Sequence, residues 1–328
     1  MIGVWRSTTS HLREMWEAWN DFWFSPTDPA TLGLIRCLTG AMLFYTHLVW
    51  SKGLSAFLGA DGWLPNDLMA AKQNGRYFFS IFDYAQAPWL LWIIHVVALA
   101  IFFCLMIGLF SRTMAVLAWL LALSYVVRVT PGAFFGLDKI NLMLTMYLML
   151  GPCGARYSVD RLRRMRAGDD DEAPPSIFAN LAIRLIQLHL CVIYLFGGLG
   201  KLMGEKWWNG TAVWFSVANV EYRSLDMTWI ANYLWIGELA THATVFVELF
   251  YCCAIWPRLT RPWWLLAVIG MHLGIALTMG MMTFGLIMII ANLAFVSPET
   301  IRRFVDPIAA RIARMLGAGR TEPAPMKK

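Results

Sequence analysis

Long apolar stretches recur along the whole chain, and they leave it few ways to fold. They run over about residues 30–50, 88–110, 113–131, 134–152, 178–200, 233–256, 262–280 and 282–297. Each is near the length an α-helix needs to cross the hydrocarbon core of a bilayer. A helix satisfies its own backbone hydrogen bonds there, whereas an open strand does not. The alternating ten-residue segments of a membrane barrel are absent. A soluble domain could not hide this surface in one core, because 59% of the 328 residues are hydrophobic, with seventeen Trp and nineteen Met. The chain therefore reads as all-α: a polytopic integral membrane bundle of about eight transmembrane helices.

The ends read differently. Residues 4–23 place Trp5, Leu12, Trp16, Trp19 and Trp23 at roughly helical spacing, with Arg6, Arg13, Glu14 and Glu17 between them. This predicts an amphipathic helix lying in the membrane interface, and not a cleaved signal peptide. Asp28-Pro29 offers a cap and a first-turn proline for the next helix. Residues 298–316 are basic and amphipathic again, and the last dozen are expected to be disordered. The expected organisation is an interfacial segment at 1–24, one transmembrane domain at 25–300 and a basic cytoplasmic tail at 301–328. Pro131-Gly132 and Gly280 mark the tight turns of two antiparallel hairpins. The loop at 153–177, with its basic run and the acidic run Asp169–Glu172, reads as a solvated linker.

Charge fixes an orientation. With the N-terminus inside, the inner pieces hold seventeen of the 27 Lys and Arg, and the long outer loops 51–87 and 201–232 hold, besides Lys201 at its helix end, only Lys52, Lys72, Arg76, Lys206 and Arg223. The positive-inside rule selects this N-in, C-in arrangement. The net charge of +6 then reflects topology, and the partner it implies is the lipid bilayer, not nucleic acid. The six Cys show no CxxC or Cys/His spacing and the six His form no HExxH, so no metal site is expected.

Ionisable residues inside spans are costly and each needs a reason. Arg36 and Arg184 lie within two turns of helix ends and read as snorkelling side chains. Arg128 and Asp138 face each other across a short connection; they form either a neutralising pair or, with Asn141, a polar pocket lining. In the sixth stretch Glu238, His242, Val245, Glu248 or Leu249, and Cys252 follow one helical face. Glu248 lies near mid-membrane and must be protonated or paired, with His242 and His272 as candidate partners.

The densest chemistry lies in QLHLCVIYLFGGLGKLMGEKWWNGTAVW, residues 187–214. Gln187, Cys191, Tyr194, Gly198 and Lys201 share one helical stripe. Gly197, Gly198 and Gly200 either admit a second helix at close range or leave room for a flat ligand beside Lys201. An amine taken out of water becomes available as a base. Trp207 and Trp208 follow at once. Asp138, Asn141, Lys201, Trp207, Trp208 and Glu238 all fall in the outer half, and a site is expected there beneath the two long loops.

These residues carry a resemblance. Tyr194–Leu202, followed by Trp207 or Trp208 and Gly210, is similar to a motif of the vitamin K-dependent gamma-carboxylase family. More closely it resembles bacterial proteins with a horizontally transferred transmembrane (HTTM) domain. Trp19–Gly40, Phe135–Leu162, and His272 with Gly274 and Phe284 resemble the opening, middle and closing parts of that domain, so the resemblance covers about residues 15–300. In the carboxylase a lysine in this motif deprotonates vitamin K hydroquinone, oxygen adds, and the quinone leaves as its epoxide while carbon dioxide traps a peptide glutamate carbanion. The resemblance implies Lys201 as the general base, a lipophilic quinol-like substrate, O2 and CO2 as co-substrates, and no metal. It also implies an inner-membrane location with the site toward the periplasm. The carboxylase pairs an Asn with a His in its fourth span; here Asn141 has no such neighbour, and only about thirty residues follow the last span. The expected activity is therefore quinol oxidation with or without carboxylation. The alternative is a non-catalytic binding or transport protein for a small lipophilic ligand.

Overall fold

A computed structural model describes residues 2–73, 79–85, 87–129, 135–168 and 173–315. Among them every regular element is helical, and the one strand-like contact is an isolated bridge between Thr27 and Ser176. The expected turn at Pro131-Gly132, the acidic run 169–172 and the C-terminal residues 316–328 lie outside the described residues. The N-terminal segment forms α1 (Ile2–Phe24). The apolar stretches fold as α2 (Ala30–Trp50), α3 (Pro88–Ile107), α4 (Ser111–Arg128) and α5 (Gly136–Leu148). A short basic helix, α6 (Val159–Arg166), follows, and then α7 (Ile177–Leu202), α8 (Leu234–Ala254), α9 (Arg261–Thr278) and α10 (Met282–Asn292). The chain then turns through 118° into α11 (Pro298–Met315).

The helical reading holds, and the lengths refine it. Four helices (α2 with its continuation to Leu58, α3, α4 and α7) are long and apolar enough to cross a membrane, or five if the bent pair ending in α11 is one broken span. At 13 and 11 residues, α5 and α10 are shorter than a full crossing. Glu238, His242 and Glu248 lower the hydropathy of α8. The outer surface fits lipid: Trp89, Trp92, Ile93, Val96 and Val97 on α3, and Val192, Phe196 and Leu199 on α7, are exposed. In water such a surface would associate. The molecule is a membrane protein.

Helix α2 sits at the centre and packs against α3, α5 and α10. A Cβ at Gly40 would fall 2.5 Å from the Met106 nitrogen, so glycine there lets the α2 and α3 backbones meet. One turn away lies Arg36. Snorkelling is the wrong account of it, because the side chain is completely buried. Its Nε donates to Cys153 O at 3.0 Å, Nη1 to Leu105 O at 2.5 Å and Met106 O at 2.9 Å, and Nη2 to Tyr157 O at 2.5 Å. The carbonyls of the last turn of α3 form the negative end of its dipole, and although Leu105 O also accepts from Gly108 N at 3.2 Å, Met106 O is met by Arg36. The guanidinium is thus met by backbone oxygens and no carboxylate is required. Arg184 is also held: its Nε donates to Phe22 O at 3.2 Å, and the guanidinium lies 4.4 Å from the Phe22 ring, which fastens α1 to α7.

The same end of the bundle carries a polar clasp. Asp28 pairs with Arg156 at 2.8 Å and Arg302 at 3.2 Å, and Tyr157 Oη donates to Asp306 at 2.7 Å, which docks α11. Asp160 caps α4, accepting from Phe110 N at 2.8 Å and from Ser111 N and Oγ at 2.7 Å. Burial pushes the Asp160 carboxyl up, but the Ser111 and Phe110 hydrogen bonds and the Arg163 charge outweigh it and hold the group below the usual carboxylate range.

Two outcomes follow from this end of the molecule. Arg36→Met takes the Arg36 donors from the Met106 and Cys153 carbonyls, while Leu105 O keeps Gly108 N and Tyr157 O keeps Cys37 Sγ; at about 1–3 kcal/mol for each stranded carbonyl, thermal unfolding in detergent should show a loss of about 2 kcal/mol or more. Arg303→Met, at an exposed position, should stay within about 0.5 kcal/mol of wild type. The folded-state pKa of Asp160 lies below its unfolded value. Its stabilisation is therefore complete above the ordinary carboxylate range and is lost as pH falls through that range to the lower folded value. Unfolding followed against pH should show an acid-side decline in wild type that Asp160→Asn lacks.

Candidate functional site

The stripe through Gln187, Cys191, Tyr194 and Gly198 is the buried face of α7. It ends at Lys201, whose Nζ lies 2.6 Å from Glu248 Oε2 on α8. This corrects two expectations. Glu248 finds neither His242 nor His272 as its ion partner, and Lys201 is not a solitary amine. Side-chain exposures of 23% for Lys201 and 11% for Glu248 leave little room for water to screen them. Each ion alone would be costly among apolar helices; together they carry no net charge. Nζ also sits 5.2 Å from the centre of the Trp207 ring.

The glycines divide the labour. A Cβ at Gly198 would lie 3.0 Å from the Leu249 backbone nitrogen, so this residue sets the close approach of α7 to α8. A Cβ at Gly197 would stand 3.3 Å from Glu248 Oε2 and 3.9 Å from Lys201 Nζ, directly over the pair. Gly200 faces open space.

Deeper along α7, Tyr194 anchors a buried polar network. Its Oη lies 2.8 Å from His272 Nε2 on α9 and accepts from Asn292 Nδ2 on α10 at 3.0 Å. Tyr251 Oη donates to Asn292 Oδ1 at 2.7 Å, and the two tyrosine rings pack with centroids 4.1 Å apart. Four helices meet in this network. Tyr251 and Asn292 escaped sequence reasoning; the signal for Asn292 was its place as the lone Asn in the apolar run Phe284–Phe295.

The other predicted residues are placed elsewhere. The buried face of α8 runs through Gly237, Thr241, Val245, Glu248 and Tyr251; it keeps Val245 and Glu248 of the expected stripe and is one residue off at Glu238, His242 and Cys252. Glu238 and His242 are exposed. His242 Nε2 lies 3.3 Å from Trp208 O and Nδ1 lies 2.9 Å from Glu238 O. Trp208 turns outward and donates from Nε1 to Leu202 O at 2.6 Å. Arg128 does not take Asp138 as the expected neutralising partner. Its Nη2 donates to Gly59 O at 2.9 Å and its Nε lies 4.0 Å from Asp83. Asp138 instead caps α5, accepting from Phe135 N at 2.9 Å.

Two cavities result, and the lining of neither includes Lys201. One, a constricted space with room for about one water, is bounded by Leu43, His47, Trp50, Tyr125, Asp138 and Asn141. Asn141 is 1% exposed there, and among the described residues neither its Oδ1 nor its Nδ2 has a hydrogen-bond partner. The other is an open recess of about 720 Å³ walled by Lys206, Trp207, Phe215, Asn219 and Tyr222. The Trp207 ring is common to this recess and to the lysine. Among the described residues no His, Cys, Asp and Glu gather in a group able to hold a metal ion.

An all-helical membrane bundle with a lysine–carboxylate pair between two of its helices is the class the fold and site define. Within that class the chain belongs to the HTTM domain family, whose model matches residues 24–299. No curated protein and no solved structure matches it.

The pair yields a stability test. Lys201→Met or Glu248→Gln alone strands one buried partner and should cost about 3 kcal/mol. Lys201→Met combined with Glu248→Leu should cost less than the two single losses added together. Unfolding of all four proteins in one detergent gives the coupling energy; additivity would mean that the pair is not formed.

Proposed function

We propose that the protein is a membrane enzyme that deprotonates a lipid-soluble quinol, with the Lys201–Glu248 pair as the general base. The observation that carries this is the 2.6 Å contact between Nζ and Oε2 in the very motif that resembles the carboxylase lysine. The pair shares one proton, placed as ammonium and carboxylate or as amine and carboxylic acid. In the second form Lys201 takes the quinol proton directly: the quinol O–H bond breaks and an N–H bond forms. In the first, the carboxylate takes it. Both routes end with an ammonium beside a carboxylic acid, a single positive charge that holds the quinolate. Charge is conserved inside the site, as a low-dielectric setting requires.

The family resemblance supplies the rest of the chemistry. Reduced quinone and O2 give the quinone epoxide and water, with one oxygen atom in each, with or without capture of CO2 by a carbanion. The reading takes the eight apolar stretches as crossings, with both termini on the basic inner side and Lys201 facing outward. The recess beside Trp207 is then the way in from the outer leaflet. Its size suits a small-molecule site, and its aromatic walls suit a flat ring.

The test is turnover. Full-length protein in lipid nanodiscs, given vitamin K hydroquinone and O2, should form epoxide or quinone faster than empty discs. Lys201→Ala should abolish the difference, and Glu248→Gln should lower it by about 10²-fold or more. Equal turnover in Lys201→Ala would sink the mechanism. Saturable binding without conversion would favour a binding or transport protein.

A further inference from the structure

The network behind the pair has a direction. Met288 O can only accept, so the end of Asn292 that meets it at 2.9 Å is the amide nitrogen. The same Nδ2 therefore donates to Tyr194 Oη, while Oδ1 accepts from Tyr251. Tyr194 Oη still has its own hydrogen to place. Among the described residues its remaining partner is His272 Nε2 at 2.8 Å. His272 thus accepts at Nε2, and in a neutral imidazole the hydrogen then sits on Nδ1. Among the described residues that nitrogen has no partner, although His272 is only 3% exposed. The other helical histidines of this kind do not share the defect: Nδ1 of His47 lies 2.8 Å from Leu43 O and Nδ1 of His242 lies 2.9 Å from Glu238 O. A buried donor without an acceptor costs about 1–3 kcal/mol and calls for an oxygen that the described residues do not supply.

His272 is joined through Tyr194 to the same buried face of α7 that ends at Lys201. Lys201 is within electrostatic range of the His272 ring, and Glu248 of the Tyr194 hydroxyl. We infer that His272 presents Nδ1–H to a ring oxygen of the substrate, the carbonyl or hydroxyl other than the one that meets the Lys201–Glu248 pair. This rests on the quinol reading above and narrows it: the site takes a ring with two oxygens, one deprotonated by the pair and one held by His272. Tyr194, Asn292 and Tyr251 are positioning residues, because they fix which imidazole nitrogen carries the hydrogen.

The two amide isosteres of histidine separate the roles. His272→Gln can keep a partner for Tyr194 near the Nε2 position and loses the Nδ1 donor. His272→Asn keeps a donor near Nδ1 and gives up the Tyr194 contact. Binding of a naphthoquinone to full-length protein in nanodiscs can be read from quenching of tryptophan fluorescence. His272→Gln should bind about tenfold more weakly than wild type, the loss of one neutral hydrogen bond, and His272→Asn should stay close to wild type. The infrared carbonyl stretch of the bound quinone should lie lower in wild type and His272→Asn than in His272→Gln. Nitrogen-15 NMR of histidine-labelled wild type, which needs no variant to fold, should find the His272 hydrogen on Nδ1. A hydrogen on Nε2 overturns the inference. So does wild-type affinity with an unchanged carbonyl stretch in His272→Gln, which would leave a buried water as the acceptor. A wild type that binds no quinone overturns the functional reading together with the inference, whereas binding that weakens in Lys201→Ala but not in His272→Gln overturns the inference alone.

Discussion

Two side chains, each too costly to stand alone among apolar helices, meet at 2.6 Å between α7 and α8, and much of the bundle is arranged so that they can. Gly198 brings the backbones close enough for the side chains to touch, and Gly197 keeps the space over the contact clear. Val245 and Tyr251 flank Glu248 on the buried face of α8 and exclude water. The result is neutral as a unit. A lone buried lysine or a lone buried glutamate would have only one inexpensive protonation state; the pair can exchange a proton without creating an isolated charge.

The opposite solution holds Arg36. Its guanidinium is as deeply buried as any group in the protein, but its neighbours are the carbonyl oxygens of Leu105, Met106, Cys153 and Tyr157. Backbone carbonyls do not titrate, so this charge is fixed. It locks the end of α3 to α2 and to the turn that follows α5. Static charge at one place and exchangeable charge at another is a division expected of a scaffold that carries a chemical site.

Periodicity made the helices legible. Apolar stretches of bilayer length announce helices whatever their tertiary neighbours, and the stripe ending at Lys201 was readable because five residues kept the helical period. What failed was partner choice. Asp138 looked like the counter-ion of Arg128, but local geometry won, and it caps its own helix. The α8 face was drawn through Glu238 and His242 because they are polar; the packing instead selected the small residues Gly237 and Thr241, which let neighbouring segments approach. The acceptors of Arg36 had no sequence signature at all, since every residue has a carbonyl. Lys201 and Glu248 are 47 positions apart, and only the fold makes them neighbours.

Sequence reasoning also joined Asn141 and Lys201 in one site, and the cavities argue for separating them. The space beside Asn141 is constricted enough that its centre admits about one water. A quinone ring does not fit there without moving α2, α4 or α5, which are among the most tightly packed helices of the core. A single water, by contrast, could satisfy both ends of the unpartnered Asn141 amide. The recess on the other side is larger and open, and the Trp207 ring forms a wall common to it and to Lys201. On the proposed reading, then, a flat substrate approaches over Trp207 and meets the base before it meets anything on α5. On the same reading Asn141 takes part in the hydration of the core, and the residues proposed to recognise the substrate lie on α7, α8 and α9.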